Sequence, residues 1–131
     1  MTAQREPNYS YEQLPDGSVR ATPDRPLCDF CGGDLRERWT RFVARPFSRS
    51  AEAGGVTWTI RYTAPWAACP RCELLVHNRA WKPLVRRCMR VRRAACWHTP
   101  VGWESELAAT FLQLADHLTG EQYVQMAGDV E

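Results

Sequence analysis

Three observations predict a small α+β fold gathered around a metal-binding knuckle. Two C-x-x-C pairs, Cys28/Cys31 and Cys69/Cys72, have the spacing of thiolate metal ligands. Between them, Val56 to Thr63 alternates apolar and polar side chains at period two, as a half-buried strand does. After them, residues 84–95 and 103–118 repeat apolar side chains at helical spacing.

At 131 residues the chain suits one small domain with tails. It divides by composition into a polar segment 1–26, a four-cysteine module 27–97 with a basic helix, and an acidic helical region 98–131. A hydrophobic fraction of 44% and a charged fraction of 24% are those of a globular chain rather than a disordered or membrane one. Six tryptophans predict a largely aromatic core. No run approaches the roughly 20 apolar residues that cross a bilayer. The stretch Met1 to Ser10 lacks an apolar signal core, so no membrane partner is expected and the cytoplasm is the expected location. Without such a leader, six cysteines that include two C-x-x-C pairs read as reduced thiolates rather than disulfides.

Taken in order, Tyr9 to Leu14 and Ser18 to Thr22 flank Pro15-Asp16-Gly17, which suits a short hairpin; a disordered tail fits as well. Cys28-Asp29-Phe30-Cys31-Gly32-Gly33 has the form of a metal knuckle, with glycines that let the backbone turn its amides toward sulfur. A strand is expected over 36–44, with Trp39, Arg41 and Val43 on one face and Arg38, Thr40 and Phe42 on the other. The clearer strand, 56–63, should bury the face of Val56, Trp58, Ile60 and Tyr62. Pro46 to Gly55 reads as a flexible loop joining these two strands into a hairpin.

Cys69-Pro70-Arg71-Cys72 runs directly into Glu73-Leu74-Leu75-Val76, so the second pair should open a helix. Pro83 suits the first turn of the next helix, expected over 84–95. There Leu84, Cys88, Val91 and Ala95 share one face, with Arg86, Arg90 and Arg93 opposite and Arg87 nearby. In the third helix, 103–118, Trp103, Leu107, Phe111, Leu114 and Leu118 form an apolar stripe, and Thr119-Gly120 should end it. A last short helix is expected over 121–127, with Thr119 and Gln122 in capping-box spacing and Gly128 beyond.

Four thiolates at two C-x-x-C corners match the closed tetrahedral coordination of structural Zn2+ and leave no open position for a reacting water. Iron is the minor alternative on the same ligands, and unrelated buried thiols are the non-metal one. Cys88 falls on an apolar helix face, where a free thiol is ordinary. Cys96, His98 and His77 share no recognised ligand spacing. The order of knuckle, hairpin and C-x-x-C at a helix start is similar to a treble-clef zinc finger more than to a zinc ribbon, whose second knuckle lies on another hairpin. The expected fold is therefore a treble-clef-like finger with an added C-terminal helical region.

Cys28-Asp29-Phe30-Cys31, then Trp66-Ala67-Ala68-Cys69-Pro70-Arg71-Cys72, followed by Leu75, Trp81 and Leu84-Val85-Arg86-Arg87, resembles a group of small actinobacterial and phage-encoded zinc-finger proteins of largely uncharacterised activity. The resemblance spans residues 28–87 and implies zinc ligands at Cys28, Cys31, Cys69 and Cys72; it carries over no catalytic residue. Treble-clef folds include HNH nucleases, but His77-Asn78 does not supply the histidine pair of that motif.

The net charge of +2 is small, yet Arg79, Lys82, Arg86, Arg87, Arg90, Arg92 and Arg93 lie together with no acid among them. Such a ridge suits phosphates, with Trp81 and Trp97 read either as base-stacking residues or as shoulders of the metal site. Nucleic acid is the expected partner. Neutralisation of the ridge by Glu104, Glu106 or Asp116 is the bland alternative. A protein partner or self-association through the 103–118 helix is the competing function. No nucleophile, base and orienting group stand at a recognisable spacing, so an enzyme is not expected.

Overall fold

The structure, a computed structural model, describes residues 7–17, 19–53 and 55–127. Ser18, Gly54, Gly128 and the side chain of Trp58, on which parts of the expectations rest, lie outside the described residues. The fold is α+β: β1 (Tyr9–Gln13), β2 (Val19–Pro23), β3 (Arg38–Ala44), β4 (Phe47–Ala53), β5 (Val56–Tyr62), β6 (Trp66–Ala68), α1 (Pro70–His77), α2 (Trp81–Ala94), α3 (Trp103–His117) and β7 (Leu118–Met126).

The strands form three small antiparallel sheets: β1–β2, β6–β3–β7 and β4–β5. The N-terminal hairpin forms at the expected place, its turn closed by the Gly17 amide on the Leu14 carbonyl at 2.9 Å. The expected joining of 36–44 to 56–63 does not occur. β3 instead sits between β6 and β7, with Thr40 opposite Ala68 on one side and Val124 on the other. Because both edges of β3 are paired and both faces covered, Trp39 and Phe42 are buried together, although they lie on opposite faces of the strand.

The segment read as a flexible loop contains β4, which pairs along β5 from Phe47 opposite Tyr62 to Ala53 opposite Val56. Contacts at Phe47 and Arg49 help hold this ribbon to the body. Phe47 enters the core, stacked on Tyr62 at 5.0 Å and lying 6.2 Å from the Trp66 ring. Arg49 pairs with Glu106 at 2.9 Å and donates to Gln113 of α3. Val56 and Ile60 are exposed, so the expected buried face of β5 is corrected: among its described side chains, Tyr62 packs against the core and these two do not.

The expected final helix is corrected to strand β7. After His117 the backbone turns extended at Leu118, and Gly120 takes φ +90°. Gln122 then lies opposite Phe42 in the ladder. The β-favouring pair Tyr123-Val124 completes the open edge of β3, and this pairing outweighs the capping-box spacing.

The core is aromatic as predicted. Phe30, Trp39, Phe42, Phe47, Trp66 and Phe111 are buried, and Phe30 meets Trp66 and Phe111 at 5.4 Å each. Leu84, Val85 and Cys88 of α2 and Phe111 and Leu114 of α3 close it from the helical side. No described helix is long and apolar enough to cross a membrane.

Candidate metal centre

The first knuckle is a tight turn closed by its own backbone. The Cys28 amide donates to Gly33 O at 2.8 Å, the Gly32 amide to Cys28 O at 2.9 Å, and the Gly33 amide to Cys31 Sγ at 3.4 Å. Gly32 holds φ +78°, where a side chain is strained, and a Cβ there would stand 3.0 Å from the Trp97 ring. Two independent constraints therefore favour glycine at this position.

The second knuckle lies where β6 becomes α1. Cys69 is the N-cap, Pro70 fills the first turn without wasting an amide, and Cys72 lies within that turn. Asp29 joins the two knuckles: its amide donates to Ala67 O at 2.8 Å, and its carboxylate accepts from the Ala67 amide at 2.7 Å. The Cys69 amide then reaches Cys28 Sγ at 3.4 Å.

The result is four buried cysteines, Cys28, Cys31, Cys69 and Cys72, whose sulfurs all lie within 4.8 Å of one another. Such a cluster can hold a metal ion. Four thiols this close cannot all ionise without a cation among them, and they divide accordingly. Burial pushes the Cys28 thiol well up, whereas hydrogen bonds from Cys28, Cys31 and Cys72 hold Cys69 far below the usual thiol range.

Arg87 is the residue whose place the sequence reading missed. It does not join the outward face of α2; it is half-buried, and its Nη2 donates to Cys69 Sγ at 3.6 Å. Burial opposes its charge, but the contacts with Cys69 and Cys72 leave its guanidinium more firmly protonated than usual. A positive charge beside a four-thiolate cluster offsets part of its negative charge. The available signal was position: Arg87 follows Leu84 by three residues and borders Cys88, which puts it on the flank of the buried stripe.

Cys88 takes no place in the cluster. It donates to Phe30 O at 3.1 Å, and burial pushes its thiol up to about 12, the state of an inert core cysteine. Trp97 is buried with its ring against Gly32, as a shoulder of the knuckle. The Arg92 guanidinium lies 5.9 Å from the Trp97 ring and 5.0 Å from that of Trp103, tying the knuckle to the start of α3.

Comparison with protein-family models, curated proteins and solved structures finds no match. The side chains themselves carry the functional reading.

On the outer side of α2, Lys82, Arg86, Arg90 and Arg93 are exposed, and Arg79 is exposed just before the helix. Among the described residues no ion pair joins Arg86, Arg90 or Arg93 to the C-terminal acids. Glu106 is taken by Arg49. Arg92 is turned away from this ridge, with Nε on Thr99 at 3.4 Å and Nη2 on the His98 carbonyl.

Proposed function

We propose that the four cysteines hold one structural zinc ion and that the module presents α2 to nucleic acid. Zinc is favoured because four sulfurs satisfy its tetrahedral preference, and because all four are buried, as a closed structural site requires. The order of knuckle, strands and C-x-x-C at a helix N-terminus supports a treble-clef-like reading. The resemblance of the C-D-F-C and W-A-A-C-x-x-C elements to small zinc-finger proteins points the same way.

One observation carries the nucleic-acid reading: Lys82, Arg86, Arg90 and Arg93 recur along one exposed face of α2 with no acidic partner among the described residues. Over that span the helix rises about 16 Å, long enough to meet several phosphates. The competing surface is largely used within the molecule. Phe111 and Leu114 of the α3 stripe are buried, so a protein partner or second copy would meet Leu112 instead.

The test is fluorescence anisotropy of labelled duplex DNA and single-stranded RNA with metal-loaded protein across a salt series. Four phosphate contacts on duplex DNA give a log–log salt slope of about −3.6. The double variant Arg86→Glu/Arg90→Glu should lose at least about tenfold in affinity while keeping its metal content and circular dichroism. Absence of binding by the wild type at low salt would sink the proposal.

A further inference from the structure

The fold covers the four sulfurs unequally. A cavity of about 230 Å3 opens beside the cluster, and its walls include Cys31 and Cys69 but neither Cys28 nor Cys72. Cys69 is the least covered of the four, at 9% exposure against 0–3% for the others. Its sulfur lies 3.9 Å from that of Cys31. Arg87 and Arg36 stand on the same walls, and the buried Arg87 Nε has no hydrogen-bond partner among the described residues.

We propose that Cys69 is an oxidation site for small hydroperoxides, resolved by Cys31, so that oxidation opens the metal cluster. This deepens the metal reading above and rests on it. Two geometric features that favour thiol oxidation meet here: an opening onto the cavity and a neighbouring thiol able to resolve the product.

The chemistry balances with the hydroperoxide as the oxidant. The Cys69 thiolate attacks one peroxide oxygen, the O–O bond breaks, and hydroxide (or alkoxide) leaves and takes a proton from water. Arg87, on the wall of the cavity, stabilises the negative charge that develops on the departing oxygen. The Cys31 thiolate then attacks the sulfur of the Cys69 sulfenic acid, an S–S bond forms as the S–O bond breaks, and the second oxygen leaves as hydroxide, which solvent protonates to water. Two thiolates lose two electrons in all and one peroxide is reduced. The two sulfurs must close from 3.9 Å to the disulfide length of about 2.0 Å, which removes both from the ligand set.

The experiment treats metal-loaded wild-type protein with hydrogen peroxide, follows metal release with a chromogenic chelator, and maps disulfide-linked peptides at early times. The expected first product is a Cys31–Cys69 link that appears in step with metal release, with a 1,3-dione sulfenate probe labelling Cys69 before it. Early links within a knuckle, Cys28–Cys31 or Cys69–Cys72, would overturn the proposal, as would thiols left intact by excess peroxide. Arg87→Gln should slow the reaction by about tenfold, the scale of weakening one charge-assisted hydrogen bond, and Arg87→Lys should restore most of the rate. If Arg87→Gln does not fold, the wild-type peptide map decides alone. Metal analysis of the starting sample separates the two readings. Protein without metal refutes the metal centre, while the position of the first disulfide still decides the oxidation site.

Discussion

At the scale of single residues, two positions carry strain that the sequence does not announce. Arg79 and Cys96 end α1 and α2 with φ of +53° and +60°, in the left-handed region that favours glycine. Each makes the same paired closure: Ala80 N to Leu75 O with Arg79 N to Val76 O, and Trp97 N to Arg92 O with Cys96 N to Arg93 O. Cys96, which invited thought of a second metal site with His98, is thus an exposed helix terminator. Replacing it by glycine relieves the left-handed strain and removes no buried contact. Part of the gain is returned to the greater freedom of the unfolded chain, so Cys96→Gly should stabilise by about 0.5–1 kcal/mol. Urea denaturation measures this; a destabilisation would show that the cysteine side chain makes a contact that matters. The four cluster cysteines were legible for the opposite reason: their chemistry is written in local spacing, whereas the αL closures of Arg79 and Cys96 depend on where each helix is made to stop.

At the scale of elements, what was legible followed from periodicity within one segment, and what was missed depended on pairing between segments. The helices stood near their expected bounds because Leu84, Cys88 and Val91, and then Leu107, Phe111 and Leu114, mark a buried face whatever the helix packs on. Strand β7 was missed because Thr119 and Gln122 have capping-box spacing, and only the open edge of β3, distant in sequence, reveals that Gln122 will be laddered instead. In β5 the strict alternation identified the strand and misled about its burial. A two-stranded ribbon anchored at Phe47 and Tyr62 has no second layer over Val56 and Ile60. This carries a prediction. The double variant Val56→Thr/Ile60→Thr, which keeps β-branching at both positions, should change unfolding free energy by no more than about 0.5 kcal/mol per site. A loss beyond about 1.5 kcal/mol per site in thermal or urea melts would restore the buried face that the alternation implied.

At the scale of the whole molecule, the cluster stands where the separate pieces meet. The knuckle of residues 28–33 comes from ahead of β3, and Cys69 and Cys72 come from the junction of β6 and α1. Asp29 fastens one to the other through Ala67, and Trp97 from beyond α2 closes over Gly32. Arg87 carries the basic helix onto Cys69, and Arg92 carries the knuckle's shoulder on to Trp103 at the head of α3. A metal ion held there would act on long-range contacts rather than on one loop. Structural zinc binding in small fingers is worth about 10–16 kcal/mol, whereas whole domains are stable by only about 5–15 kcal/mol. Without such an ion, this chain must place four sulfurs within 4.8 Å of one another with only Arg87 to offset part of their charge once they ionise. Removing the metal with a strong chelator under reducing conditions should abolish cooperative thermal unfolding, red-shift the tryptophan emission as Trp97 and Trp66 meet water, and release the β6–β3–β7 ladder to rapid amide exchange. Metal added back should reverse all three changes together. A chelated protein that keeps a cooperative melt and protected amides in β3 would show that the aromatic core, with Phe30, Trp66 and Phe111 at its centre, suffices to hold the fold.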